Sequence, residues 1–179
     1  MSGIATDAEN HVWVLQRPAS LTEDERGATL NPPLSKCCAP APPVLEFDAA
    51  GNLLRSWGGP GTGFQWPQNE HGIHVDAKGY VWITGNGESD GQILKFTRDG
   101  RFVMQIGKIG PQTGNADGRN HQVLTLLRDT GEVVSTLGRP GRYAGEFHWV
   151  HDLAIDSNGN LYAGEVDNGK RAQKFVPQP

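Results

Sequence analysis

Short apolar runs alternate with polar residues along the chain, and glycine-rich turns separate them. In one kind of hairpin pattern an aspartate opens the turn between two runs, at 3–14, 72–84 and 152–163. A second kind surrounds the turn glycines Gly51, Gly100 and Gly131. Alternation with a period of two is typical of half-buried strands, and tight turns between such runs predict antiparallel hairpins. The pattern therefore predicts an all-β chain built from repeated hairpins.

The two kinds of hairpin together predict a β-propeller. We term the first kind inner pairs and the second kind outer pairs, because one of each in succession supplies the four short strands of a propeller blade. The pairs run inner, outer, inner, outer, outer, inner along the chain. The order breaks near residues 111–118, where an inner pair is expected. The sequence thus predicts one domain over 1–179, an incomplete propeller of about three to four blades.

Composition agrees with a turn-rich β protein and narrows the choice of partners. Glycine makes up 24 of the 179 residues, nearly twice the usual share of ~7%. The net charge of −4 and the pI of about 5.8 indicate no broad basic surface, so no nucleic-acid partner is expected. No apolar stretch reaches the ~18 residues of a membrane span. No secretory signal opens the sequence, and the compartment stays open.

Residues 17–43 interrupt the first blade between its inner and outer pairs. They carry six of the twelve prolines and little apolar content, which predicts a long loop rather than a strand. Loops of this length are either functional or poorly ordered. The adjacent Cys37 and Cys38 are interpreted as loop thiols, because a vicinal disulfide is strained and two thiols alone make no tetrahedral metal site.

Two histidines occupy equivalent positions in the repeat. His71 lies 20 residues after Gly51, and His151 lies 20 residues after Gly131. Both stand at the start of an inner strand, and inner strands line the channel of a propeller, so both are expected to point at a common axis. Imidazoles that converge in this way suit a divalent metal. The alternative is that each histidine caps a turn or is a satisfied polar group at the channel rim.

Arg17 directly follows the first inner pair and is the candidate group for binding a ligand. A guanidinium binds a carboxylate through two parallel hydrogen bonds. The alternative is a solvated loop arginine. The sequence indicates no Ser-His-Asp or Cys-His arrangement and no glycine-rich loop that opens a helix, so nucleophilic and phosphate-binding sites are not expected.

The stretch from Glu70 to Thr84, followed by 92–96, resembles an NHL repeat. More narrowly, it resembles the peptidyl-α-hydroxyglycine α-amidating lyase branch of six-bladed propellers. The stretch from Val150 to Gly164 is similar to the closing blade of that family. The likeness covers nearly the whole chain apart from 17–43.

The resemblance implies a zinc ion held by three histidines of different inner strands, with a tyrosine and arginines acting on the substrate. It implies cleavage of a peptidyl α-hydroxyglycine to the peptide amide and glyoxylate. By motif, His71 and His151 match two of the three zinc positions. Arg17 matches a substrate arginine, which makes it the candidate catalytic residue. The third histidine has no clear counterpart, and Arg119 stands where the family has its tyrosine.

Three functions are compatible with these patterns. The first is a zinc-dependent, lyase-like NHL propeller, a C–N lyase in its complete form, that takes a small molecule or peptide in its central channel. The second is a non-catalytic NHL propeller that serves as a scaffold for a protein or small ligand. The third is an internally deleted chain with no function of its own. An incomplete propeller exposes unpaired strand edges, which predicts self-association.

Overall fold

The fold comes from a computed structural model that describes residues 2–37, 39–110 and 121–178. These ranges contain thirteen strands and two short 3-10 helices. The chain divides into two compact units, Met1–Pro111 and Gln112–Pro179. The predicted break at 111–118 lies outside the described residues, and so do Cys38 and Arg119.

The first unit consists of two four-stranded antiparallel sheets, each a meander in chain order. The strands of the first sheet are β1 (Gly3–Thr6), β2 (Val12–Leu15), β3 (Val44–Phe47) and β4 (Leu53–Trp57). The strands of the second sheet are β5 (Glu70–Val75), β6 (Val81–Gly85), β7 (Gln92–Phe96) and β8 (Phe102–Gly107). Each sheet combines one predicted inner pair with one predicted outer pair. Both blades predicted for this part of the chain are therefore confirmed.

An aspartate holds the turn of each inner pair in the same way. Oδ1 of Asp76 accepts hydrogen bonds from the backbone N–H groups two and four residues ahead, at 2.9 and 3.0 Å. Its Oδ2 accepts a hydrogen bond from the Trp82 indole at 2.9 Å. The same arrangement recurs at Asp7 and at Asp156, where the Tyr162 hydroxyl takes the place of the indole. An aspartate that binds its own turn in this way fixes the hairpin locally.

The core of the first unit is shared by its two blades. Phe64, in the loop between the blades, packs on Phe96 and Phe102 at centroid distances of 5.2 and 4.9 Å. Burial of apolar surface is the main favourable term in folding, so each blade stabilises the other. The buried residues of this cluster are Trp13, Leu15, Val44, Trp66, Val75, Val81, Ile83, Leu94 and Phe96.

The second unit contains a two-stranded and a three-stranded antiparallel sheet. β9 (Val123–Leu126) pairs with β10 (Val133–Leu137) and corresponds to the third predicted outer pair. β11 (Val150–Ile155) and β12 (Leu161–Glu165) form the third inner pair, and β13 (Ala172–Phe175) is the outer strand predicted to follow it. The fold is therefore all-β and of the β-propeller type, with two whole blades in the described residues.

The predicted loop at 17–43 forms no strand in its described part. It contains the two 3-10 helices, Pro18–Ser20 and Asp24–Thr29. Cys37 is an exposed free thiol in this loop, as the sequence predicts. Within the described ranges, the chain has no helix whose length and apolar content would let it cross a bilayer.

Candidate functional site

The two predicted site histidines sit at matching irregularities of two inner pairs. The register between β5 and β6 shifts at His71, so this residue is the extra one of a β-bulge. The register between β11 and β12 shifts in the same way at His151. Both residues are exposed. A bulge re-aims its side chain and is over-represented beside active sites, so the two histidines share one backbone environment. Their role in a site stays a prediction.

Arg17 reaches His71 from the neighbouring blade of the first unit. Its Nη2 lies 3.2 Å from His71 Nδ1. Its Nε donates a hydrogen bond to the carbonyl oxygen of Glu70, and Nη2 also donates to Oδ1 of Asn86 at 3.3 Å. The fold thus brings together two of the three predicted site residues, which are 54 positions apart in sequence.

Asn86 belongs to this site, although sequence reasoning missed it. It lies in the turn after β6, and its Oδ1 also accepts a hydrogen bond from Asn69 Nδ2 at 2.6 Å. Its backbone N–H donates to the Asn69 carbonyl oxygen at 3.0 Å. The Asn86 Nδ2 group has no hydrogen-bond partner within the described ranges, so it stays available as a donor.

The acidic side chains next to these residues point their carboxylates elsewhere. Glu70 is only 2% exposed, and its Oε1 accepts a hydrogen bond from the Trp66 indole at 2.8 Å. The Asp90 carboxylate accepts hydrogen bonds from three backbone N–H groups. Arg17, His71 and Asn86 contact one another around the Arg17 guanidinium, and we term these three residues the donor cluster. A set of this kind suits an anion.

The donor cluster does not fit a zinc ion in this arrangement. A guanidinium only donates hydrogen bonds, so Nδ1 of His71 accepts from Arg17 and the neutral ring carries its hydrogen on Nε2. Neither ring nitrogen then offers a lone pair to a metal. The positive charge of Arg17, 3.2 Å from the ring nitrogen, also opposes a divalent cation. Zinc at His71 would require Arg17 to move.

His151 lies in the second unit, on a segment that is rich in imidazole and indole rings. The His148 ring stacks on His121 and on Trp149, with centroids 5.3 and 5.5 Å apart. Nδ1 of His121 accepts a hydrogen bond from the Trp149 backbone N–H at 2.8 Å, so its lone pair is already in use. The role of His151 as a zinc ligand stays a prediction.

A second charged group, which the sequence did not indicate, joins the two blades of the first unit. Asp7, His11 and Glu46 offer ligand atoms within 4.8 Å of one another and form the one such trio in the described residues. Arg98 Nη2 lies 2.8 Å from both Asp7 Oδ2 and His11 Nδ1, and it donates to Glu46 Oε1 at 2.5 Å. A guanidinium therefore holds the position that a metal ion would need. We call these four residues the inter-blade clamp.

Hydrogen bonding keeps the buried carboxylate of the clamp ionised. Burial raises the pKa of Glu46, but hydrogen bonds from Arg98, Arg55 and His11 outweigh it and hold the pKa below its usual range. Glu46 pairs with Arg55 of its own blade and with Arg98 of the second blade, and His11 lies beside it. The clamp is therefore interpreted as a structural contact between the two blades. A surface cleft of about 400 Å³ lies beside it, lined by Glu9, His11, Leu54, Arg55 and Arg98.

Comparison with known proteins supports the fold and assigns no family. No family model matches the sequence. A protein of unknown function from Bacteroides caccae matches with a TM-score of 0.51 and 17% identity, over 90% of this chain and 69% of that one. Virginiamycin B lyase from Staphylococcus aureus matches with a TM-score of 0.49 and 12% identity, over 98% of this chain and 55% of that one. At such identities the first likeness concerns the fold alone, and the chain spans about half the length of the lyase.

Proposed function

We propose that this chain is a lyase-like β-propeller protein of the NHL type that binds a carboxylate-bearing small molecule or peptide at the donor cluster. The observation that carries the proposal is the convergence of Arg17 with His71 and Asn86 at the bulge of β5. Arg17 and Asn86 offer a guanidinium and an amide N–H beside the His71 ring. Charge-assisted hydrogen bonds from a guanidinium to a carboxylate are among the strongest that proteins make.

The geometry leaves part of Arg17 available for a ligand. Nε and Nη2 bind Glu70, His71 and Asn86, whereas Nη1 has no hydrogen bond in the part of the chain that the structure describes. The contacts with Glu70, His71 and Asn86 fix the orientation of the guanidinium before a ligand binds. A pre-organised donor of this kind loses less conformational entropy on binding.

The lyase character of the proposal rests on the sequence resemblance. A peptidyl α-hydroxyglycine ends in a carboxylate, so it belongs to the ligand class that the donor cluster suits. The reaction that releases glyoxylate needs zinc in the family that the sequence resembles. Zinc ligation by His71 and His151 is therefore a further proposal, and it conflicts with the contact between Arg17 and His71.

The binding proposal is tested with N-benzoylglycine and its neutral amide, N-benzoylglycinamide, in NMR titrations. We expect the carboxylate to bind at least about 10-fold more tightly than the amide, because a hydrogen bond to a charged group contributes about 1.5–3 kcal/mol. Arg17→Ala should weaken carboxylate binding roughly 30-fold, for the same reason. Arg101→Ala, which changes a 79% exposed arginine of the same unit, is the matched control. Equal binding of acid and amide would refute the proposal.

Calorimetric titration with zinc separates the two descriptions of His71. The resemblance predicts tight one-to-one binding that is lost in both His71→Ala and His151→Ala. The contact of Arg17 with His71 predicts no tight binding to the wild-type chain. If His71 can be a ligand, Arg17→Ala should bind zinc more tightly than the wild type. Tight zinc binding to the wild type would favour the zinc-dependent lyase over a non-catalytic binding protein. An assay of glyoxylate release would then follow.

A non-catalytic ligand-binding propeller is the second candidate. The observation in its favour is that the donor cluster presents no carboxylate as a base, because Glu70 and Asp90 are engaged with an indole and with backbone N–H groups. Such a site can hold an anion without cleaving it. Carboxylate binding without glyoxylate release, with and without added zinc, would select this candidate.

A further inference from the structure

Asp90 has no charged partner in the described residues. Its carboxylate accepts hydrogen bonds from backbone N–H groups instead. Its Oδ1 accepts a hydrogen bond from the Gln68 N–H at 2.8 Å. Its Oδ2 accepts from the N–H groups of Asn69 and Gly87, at 3.0 and 2.9 Å. The first two donors precede β5 and the third follows β6. One carboxylate therefore ties together the two chain segments at this end of the inner pair.

The two glycines beside Asp90 make room for its carboxylate. A Cβ atom at Gly85 would overlap Oδ2 of Asp90, and one at Gly87 would lie 2.8 Å from the same oxygen. Neither glycine has a positive φ, so space rather than backbone conformation favours glycine at these positions. The Gly85-Asn86-Gly87 sequence thus provides a cradle for the carboxylate, and Asn86 stands between its two glycines.

The cradle sets the position of the donor cluster through a pair of asparagines. Asp90 binds the backbone of Asn69 and of Gly87, and the Asn69 side chain donates to Asn86 Oδ1 at 2.6 Å. Asn86 Oδ1 in turn accepts from Arg17 Nη2, which is in contact with His71. A continuous series of hydrogen bonds therefore connects Asp90 to Arg17, although the two side chains do not touch.

We propose that Asp90 is the positioning residue of the donor cluster. It fixes Asn86, and through Asn86 it holds the Arg17 guanidinium against His71 in the orientation that receives a carboxylate. This inference rests on the proposed function for its effect on ligand binding, whereas its effect on Arg17 and His71 can be measured without any ligand. When the residues that position a binding side chain are lost, that side chain can shift by a small distance, and such a shift is enough to weaken ligand binding.

Asp90→Asn tests the inference, because it puts an NH₂ group where an oxygen accepts backbone hydrogen bonds. N-benzoylglycine is titrated into the wild type, Asp90→Asn, Arg17→Ala and the double variant. We expect Asp90→Asn to weaken binding about 10-fold, and to have no further effect when Arg17 is already alanine. Asp99→Asn is the matched control, since it changes an exposed turn aspartate of the same unit. If the double variant weakens N-benzoylglycine binding by the product of the two single effects, the substitutions act independently and the inference is overturned.

A readout without ligand separates this inference from the proposed function. The nitrogen chemical shifts of the His71 ring report which nitrogen carries the hydrogen, and Arg17 at Nδ1 selects the Nε2 form. Asp90→Asn should shift the ring toward a mixture of the two forms, and Arg17→Ala should do the same. An unchanged His71 spectrum would overturn the inference even if the probe binds nowhere. If Asp90→Asn does not fold, Gly87→Ala displaces the same carboxylate and should give the same two results.

Discussion

At the scale of single residues, an aromatic residue of an inner strand faces a lysine of the neighbouring outer strand in two of the three sheets that contain an inner pair. The first sheet is the exception. Lys95 lies opposite Trp82 and Lys174 lies opposite Tyr162, and each ammonium group stands over the aromatic ring, at 4.7 and 5.5 Å. The first blade has Glu46 opposite Trp13. There, Arg98 of the second blade supplies the cation, with its Cζ 5.5 Å from the ring of Trp13. The clamp thus replaces a contact within a blade by one between blades.

This exchange predicts how the clamp responds to substitution. Arg98→Ala should lower the free energy of unfolding by about 2–3 kcal/mol, because it leaves the fully buried Glu46 short of a partner. Glu46→Lys combined with Arg98→Ala should recover most of that loss, because it restores the lysine–aromatic pair of the other blades. Urea unfolding of the two single variants and the double variant measures the coupling. A double variant no more stable than Arg98→Ala would contradict the explanation, and Arg101→Ala should change stability by less than about 0.5 kcal/mol.

At the scale of elements, the hairpins could be predicted because their signals are local. The turn aspartates and glycines stand within a few residues of the strands that they connect, as at Asp76 and Gly79. The bulges at His71 and His151 could not be predicted, because a bulge exists only relative to a partner strand. The sequence indicates only that His71 and His151 are equivalent, because each lies 20 residues after a turn glycine.

The donor cluster shows the same limit between local and distant signals. Arg17 and His71 were chosen separately, and only the pairing of blades shows that they touch. Asn86 and Asp90 were missed because a glycine-rich stretch with asparagine and aspartate is typical of any turn. Their role depends on which backbone N–H groups the turn faces, and Gln68 and Asn69 come from the preceding loop. That information is absent from the local pattern of residues.

At the scale of the whole molecule, the repeated turns predict that the chain loses stability in acid. Burial raises the pKa of Asp7 and Asp76, but hydrogen bonds from neighbouring backbone and side-chain groups outweigh it. Such hydrogen bonds hold the pKa of these aspartates, and of the turn aspartates Asp48 and Asp156, below the ordinary value of 3.8. For Asp156 the Asn160 side chain is the largest cause, and the pKa falls to about 2. Arg171, Gln173 and the His148 backbone likewise lower the pKa of Glu165 against the effect of burial, which raises it. Both units therefore carry carboxylates that are stabilised in their ionised form.

The sign of the pH dependence follows from these depressed values. Between the folded and unfolded pKa values the unfolded chain binds more protons than the folded chain, so stability is lost as the pH falls. The stabilisation is present in full above about pH 5.5, and it should decline as the pH falls from about 5 to 2. Urea unfolding at a series of pH values measures this slope. Asp156→Asn should reduce the slope below pH 4, because that position no longer titrates. Glu23→Gln, in the loop at 17–43, is the control for removing one negative charge, and a stability that stays constant down to pH 2.5 would contradict the prediction.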